Sequence, residues 1–566
     1  MYNPKNSPYS FRSTGGFRLC LTVAFLLSMP LLLSAQDKKV TNPPMGVIKA
    51  EAWKAADTGA IRPGEIDAII NDHLKSAGIK SAELTSDTDF LRRAYLDLTG
   101  RLPKISDTQA FLKDKSADKR AKLIDRLLES DAYAARWSTY WTNVVNARVS
   151  DPVVKFSSGV FQNWMRQQFQ ANTPWDEVVS EIVTAKGEIR RDKRPDNGAV
   201  YFLLSNRGAD AVTERAAETS RIFLGIQIQC AQCHDHPFDS WKWEQFHEFA
   251  AYFGKARERF VFADKKIVGF RFSSTYFSKY RMTDANDPTK RSVVYAKFLD
   301  GTAPPSKSLP DLKLRKSLAD KMSSPESPWL AVAFVNRMWT ELLGQGFYSK
   351  VDDIGPERDA LYPKLLTRLS SSFRGSDYDV KQLFRAIINS EAYQRQIRMG
   401  KSTDEHLRFA AVYPTKLQAD ALWNSLEQTL GNIEGFGRFG KGRKFGRYGR
   451  LFGTRAAFVK EFSFDPSTPS CEVEGSLSQA LFLMNNPKIN KRIEVSNFST
   501  LGKILNKFEN DQTAVKVVYY HVLTRQPSQN ELQRCLKFIR DVNDREEAFE
   551  DILWVLVNST EFRTKR

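Results

Sequence analysis

Apolar side chains recur every three or four positions through most of the chain, the spacing that puts them on one face of a helix. Ile66, Ile69, Ile70 and Leu74 begin the series, and 87–98 repeats it with Phe90, Ala94, Tyr95 and Leu98. Ser106-Asp107 is expected to cap a segment running to Phe111. Leu123, Ile124, Leu127 and Leu128 predict another helix, followed by Trp137, Trp141 and Val145, then by Phe161, Trp164, Met165 and Phe169. Residues 211–232 read as a single helix with Ala216, Ile222, Phe223 and Ile226 on its apolar face, and Pro237 prevents its continuation. A second amphipathic helix is expected over 241–253, with Phe246, Phe249, Ala250 and Phe253 toward the core.

The pattern changes at 258–300. Phe260-Val261-Phe262, 267–272 and 293–298 are short β-like runs around a turn-rich middle at 284–287. Residues 301–310, with Pro304-Pro305, read as a linker. Helical periodicity then resumes at 330–343, 362–373, 380–390, 414–430, 477–485, 513–523, 531–541 and 548–558. The expected fold is mainly α: two helical domains, 61–257 and 311–566, joined by a small β-containing segment at 258–310. Residues 36–60, polar and carrying Pro43-Pro44, read as a linker before the first of them.

The first 35 residues fit an export signal. Lys5, Arg12 and Arg18 precede an apolar run from Leu19 to Leu33, and Leu33-Ser34-Ala35 ends in the small residues that signal peptidase prefers. The run is short for a membrane span, which needs about 20 apolar residues, and no other segment comes near that length, so no transmembrane span is expected in the mature chain. Removing this segment takes away three positive charges and no negative one, so the net charge falls from +18 to +15. A basic exported chain favours anionic partners, with anionic polysaccharide or an acidic redox partner protein ahead of nucleic acid. The expected location is the periplasm or the cell surface. Five cysteines in 566 residues are too few for a disulfide scaffold.

Cys230-Ala-Gln-Cys233-His234 has the spacing for covalent attachment of haem c. Two thiols separated by two residues can reach both vinyl groups of one porphyrin, and the adjacent imidazole can then ligate the iron from one face. The string continues Asp235-His236-Pro237-Phe238-Asp239, which packs two thiols, two imidazoles and two carboxylates into ten residues. Such a cluster also suits a non-haem site for zinc or iron, built from Cys230, Cys233, His234, His236 and Asp239 with Cys471 as a further thiol. A disulfide or a free thiol pair is the third alternative. A second axial ligand for a haem would come from Met282, Met338, His247 or His406.

The string from Phe223 to Asp239 resembles the hallmark of the planctomycete-type cytochrome-like domain DUF1549. Arg93-Ala-Tyr-Leu-Asp-Leu-Thr-Gly-Arg-Leu-Pro103 and Leu127-Leu-Glu-Ser-Asp-Ala-Tyr133 resemble its amino-terminal pattern. Val335-Asn-Arg-Met-Trp339, Gly344-Gln-Gly346 and Asp352-Asp-Ile-Gly355 are similar to the partner domain DUF1553, as are Ser470-Cys471, Gln479-Ala-Leu481, Leu523-Thr-Arg-Gln-Pro527 and Asn558-Ser-Thr-Glu-Phe562. The resemblance covers residues 60–566. It implies an exported protein of bacteria in which such chains often stand beside sulfatase-like and sugar-processing functions, and it implies no particular reaction.

Residues 435–455 interleave glycine, aromatic and basic side chains, which suits either a polyanion-binding loop or a solvated surface loop. The formal G-X-G-X-X-G at 435–440 follows no strand, so it does not read as a dinucleotide site. Asp352 and Asp353 read as a turn or cap, with metal binding or acid–base work as the alternative. No G-X-S-X-G, P-loop or His-Glu-X-X-His occurs in the chain. Three functions follow: an exported haem c protein transferring electrons, a non-haem metal enzyme, or a glycan-binding or assembly protein with structural cysteines.

Overall fold

The computed structural model describes residues 43–155, 157–190, 197–275, 279–283, 289–398, 408–434 and 453–565. The segment 1–35, expected to be an export signal, and most of the segment 435–455 therefore lie outside the described residues. The protein is mainly α-helical, with small antiparallel sheets. The largest sheet has three strands in the order Gly187–Arg190, Lys266–Ser274, Ala256–Ala263. It realises the β-like runs at 260–262 and 267–272. The run at 293–298 is a strand at its beginning alone, as Arg291–Val293 paired with Arg281–Thr283.

Buried apolar residues form two clusters. The first runs from Ile48 to Ala410 and draws on helices from both sides of the 301–310 segment, including Trp141, Trp175, Phe223, Phe334 and Phe373. The second joins Leu417 to Phe562 with Leu96 and Leu102 from the amino-terminal half. Segment 43–60, expected as a linker, is packed instead. Met45–Gly46 pairs with Ala360–Leu361, and Trp53, 1% exposed on the helix Ala50–Ala55, donates its indole N–H to the Pro325 carbonyl at 2.9 Å. One large ring supplies the anchoring area here, and a six-residue helix is too short to show a period.

Polar groups stitch the two halves of the chain together inside this core. Asp97 accepts from Lys565 Nζ and from the Tyr393 hydroxyl, each at 2.7 Å, and Lys565 also reaches the Glu341 carbonyl at 2.6 Å. Arg136 pairs with the Glu341 carboxylate at 2.7 Å. Arg93 donates to the Tyr393 and Arg395 carbonyls at 2.6 and 3.0 Å. Burying these charges is tolerable because each is met by a charge or a hydrogen bond.

Two local expectations change. The helix at Ile105–Lys113 starts ahead of Ser106-Asp107, and Asp107 accepts the Tyr95 hydroxyl at 3.0 Å instead of capping. The helix expected over 211–232 breaks. Ala211–Thr219 is α-helical, Ser220–Leu224 widens into a π turn, and Gly225 stops it at φ 71°. The cause is tertiary: the Gly225 carbonyl accepts from Ile354 N–H at 2.9 Å, and a β-carbon at Gly225 would lie 2.5 Å from Ile354 Cδ1. Glycine is required here both for its left-handed backbone and for that approach. Gly225→Ala is expected to lower stability by about 2 kcal/mol, read as a lower midpoint in urea denaturation.

Candidate functional site

The chain leaving Gly225 is pinned from below and open above. Ile226, Ile228 and Ala231 are buried, while Cys230 and Cys233 are exposed free thiols. Cys230 lies within, and Cys233 just after, one turn of 3-10 helix at Gln229–Gln232. Gln232 anchors the turn: its carbonyl accepts the Trp243 indole N–H at 3.1 Å and His247 Nε2–H at 3.0 Å, and its side chain donates to Thr213 at 3.3 Å. Trp243 and His247 belong to the helix Trp243–Ala250, so that helix holds the thiol-bearing turn directly.

The two imidazoles of the motif differ in which nitrogen is free. His234 Nδ1 lies 2.6 Å from the Asp235 carbonyl oxygen, which can only accept, so in the neutral form Nδ1 carries the proton and Nε2 has an open lone pair. His236 Nδ1 instead accepts the Phe238 N–H at 3.2 Å, so in its neutral form the proton sits on Nε2. The carboxylates are engaged as well. Asp235 takes Lys242 Nζ at 2.8 Å and the Trp243 N–H at 3.1 Å, and Lys242, then the Trp243 N–H, hold its pKa below the usual value. Asp239, its side chain 6% exposed, pairs with Arg358 at 3.4 Å. Phe238 between them is 83% exposed.

A buried chain of charges runs up to this turn from the carboxy-terminal half. Arg221 and Arg337 converge on Asp352, and all three side chains are 1 or 2% exposed. Arg221 also holds Glu218 through two hydrogen bonds of 3.1 and 2.6 Å. Arg148 lies 3.6 Å from Glu218 and donates to the Gln229 side chain at 3.3 Å, next to Cys230. Arg358 pairs with Asp353 at 3.5 Å while holding Asp239. The loop 351–358 thus clamps the motif at Gly225, at Glu218 through Arg221, and at Asp239. Asp352 and Asp353 are ion-pair partners in this clamp.

Cys233 and Gln232 form one edge of a cleft of about 810 Å³, within the roughly 300–1,000 Å³ of small-molecule sites. His247, Tyr280 and Met282 also line it. Both His247 nitrogens are used, because Nδ1 accepts the Tyr280 hydroxyl at 2.6 Å. Burial lowers the His247 pKa and raises that of Tyr280, so both are neutral near pH 7.

The other sequence candidates are scattered. Cys471 stands beside Gly344 and Gln345, and burial pushes its thiol pKa up to about 12, leaving it protonated at neutral pH. Cys535 lies 3.9 Å from the Tyr519 hydroxyl on the helix Gln529–Val542. Met338 is fully buried in the first core, and His406 lies outside the described residues. Among the described residues, no three His, Cys, Asp or Glu side chains are gathered as a metal ion would require. Residues that sequence reasoning missed are the cleft's cations, Arg257, Lys279, Arg281 and Arg291. Their signal in the sequence is the density of basic side chains across 255–297.

Residues 65–258 match the family PSCyt2, described as a protein of unknown function (DUF1549), and residues 314–441 match PSD1, described as a protein of unknown function (DUF1553). The second match straddles the two buried clusters. No curated protein and no solved structure matches the chain.

Proposed function

The chain belongs to the family in which a DUF1549 domain is followed by a DUF1553 domain, and we propose that it is an exported c-type haem protein that carries electrons for extracellular polysaccharide metabolism. The observation that carries this reading is the state of the motif. Two exposed thiols stand in and just after a pinned turn, and the adjacent His234 has Nδ1–H tied to a carbonyl with Nε2 open. An imidazole so tethered is fixed in tautomer and orientation, which is what ligation through the other nitrogen needs. A bound haem would supply one-electron redox chemistry at its iron. Cys230 and Cys233 would hold it through thioether bonds, His234 would ligate through Nε2, and the exposed Phe238 ring offers apolar surface for the porphyrin to cover. The leader at 1–35 and the basic mature chain favour thiol attachment outside the cytoplasm and an anionic partner.

The non-haem metal reading has less support. His236 would have to give up the Phe238 N–H, and Asp239 would have to leave Arg358. Cys471, held protonated, is a poor third thiolate. The decisive experiment is expression in a host competent for cytochrome c maturation. The purified chain is expected to show a Soret band and a pyridine haemochrome, both lost in the variant carrying Cys230→Ala and Cys233→Ala. A colourless, folded preparation from that host would overturn the proposal.

A further inference from the structure

We propose that the cleft beside Cys233 binds a multiply charged organic anion, one bearing carboxylates or sulfate or phosphate esters, and presents it to the group held by the motif. The second clause rests on the haem reading; the first does not. Among the described residues, five cations and two carboxylates line the cleft. Arg215 and Glu258 neutralise each other at 2.6 Å, which leaves Arg257, Lys279, Arg281 and Arg291 facing Asp210. None of these four cations makes an ion pair among the described residues.

Several cations near the cleft are matched, as Arg271 with Glu188 at 2.6 Å, Lys297 with Glu248 at 2.5 Å and Lys242 with Asp235 at 2.8 Å, so the four on its wall stand out from their neighbours. The strand register adds order: Arg281 lies opposite Val293 and Thr283 opposite Arg291, so Arg281 and Arg291 sit on one face of the two-stranded ribbon. Cations of one sign around a concave surface reinforce each other's potential, and a ligand with several negative charges gains from all of them at once. The deep side of the cleft is neutral, because His247 and Tyr280 satisfy each other, so the polar pull is concentrated at the basic wall. Since Cys233 stands on the same cleft, a ligand there lies next to the motif.

The test uses the full-length chain in two forms, colourless from a host without cytochrome c maturation and haem-loaded from a competent one. Citrate, inorganic phosphate and a disulfated disaccharide are titrated by calorimetry. Saturable binding by the two organic probes is expected, weakened about thirtyfold when Arg281→Gln and Arg291→Gln are combined, since each of the two exposed charges is worth about 1 kcal/mol at close range. Lys265→Gln with Lys266→Gln, at the hairpin tip away from the cleft, is expected to leave affinity unchanged. In the colourless form, ligand should slow iodoacetamide alkylation of Cys233 and leave Cys230 unaffected.

No saturable binding by any probe would overturn the proposal, as would equal losses in both pairs of variants. Tight binding of phosphate with none of the organic probes would replace the organic ligand with a simple anion. Binding in the colourless form that vanishes once haem is attached would assign the cations to the haem's own carboxylates, overturning an external ligand. Binding in a chain that never acquires haem would uphold the cleft and remove only the haem reading.

Discussion

Asp352→Ala is expected to cost about 3–5 kcal/mol of stability, the largest effect of any single change away from the motif. The carboxylate is the meeting point of Arg221 and Arg337, and it also accepts the Ser467 hydroxyl. Removing it leaves two guanidinium groups facing each other in a dry interior, and arginine cannot relieve this by losing its proton. Asp352→Asn keeps the shape and loses the charge, so it should recover little. The neighbouring Asp353→Ala is the contrast: its pair with Arg358 is about 30% exposed on both sides, and its loss should cost about 1 kcal/mol or less. Denaturant midpoints of the three variants check both statements. Equal effects at 352 and 353 would remove the buried clamp as the element joining the two halves. Since Glu218 and Arg148 continue the chain to Gln229, the Asp352 variant should also take up haem less completely if the motif holds haem as proposed.

The second large effect separates the two imidazoles. If the motif holds haem c as proposed, His234→Ala is expected to abolish the visible spectrum of the haem-loaded protein, because the iron would lose the ligand that the motif supplies while the thioether bonds would still hold the porphyrin. His236→Ala should leave the spectrum intact, since its Nδ1 serves the backbone at Phe238. The asymmetry follows from proton positions: Nδ1 of His234 donates and Nδ1 of His236 accepts, so only one of them exposes a bare Nε2. Absorption spectra of the oxidised and reduced variants decide it. For a non-haem metal shared by both residues, each change should instead cost about 10–100-fold in metal affinity, and equal losses would favour that site.

Much of the molecule follows from short-range spacing. The period of three and four in Leu123, Ile124, Leu127 and Leu128 predicts a helix, and Lys119–Leu128 is one with that face buried. Alternation around Phe260 and Phe270 predicts the paired strands. The motif from Cys230 to His234 was likewise legible, because its chemistry depends on separations of one to three residues along the chain. A six-residue helix such as Ala50–Ala55 carries too few positions to show a period, and its single tryptophan was indistinguishable from a linker residue until its pocket was in view.

What the tertiary structure decided depends on partners hundreds of residues apart. Gly225 is itself a local stop signal, but the approach of Ile354 that makes glycine necessary there comes from another segment. Asp352 has the same local signature as a turn residue, and its role appears once Arg221 and Arg337 are seen to converge on it. The cations of the cleft are ordinary surface residues in sequence; only the folded ribbon and the Cys233 turn place them around one concavity. Hydrophobic periods and motif spacings are properties of neighbours along the chain, so the sequence by itself determined the helices and the thiol–imidazole motif. Charge pairing and concavity are set by separations through space, and those exist only after the two halves have packed.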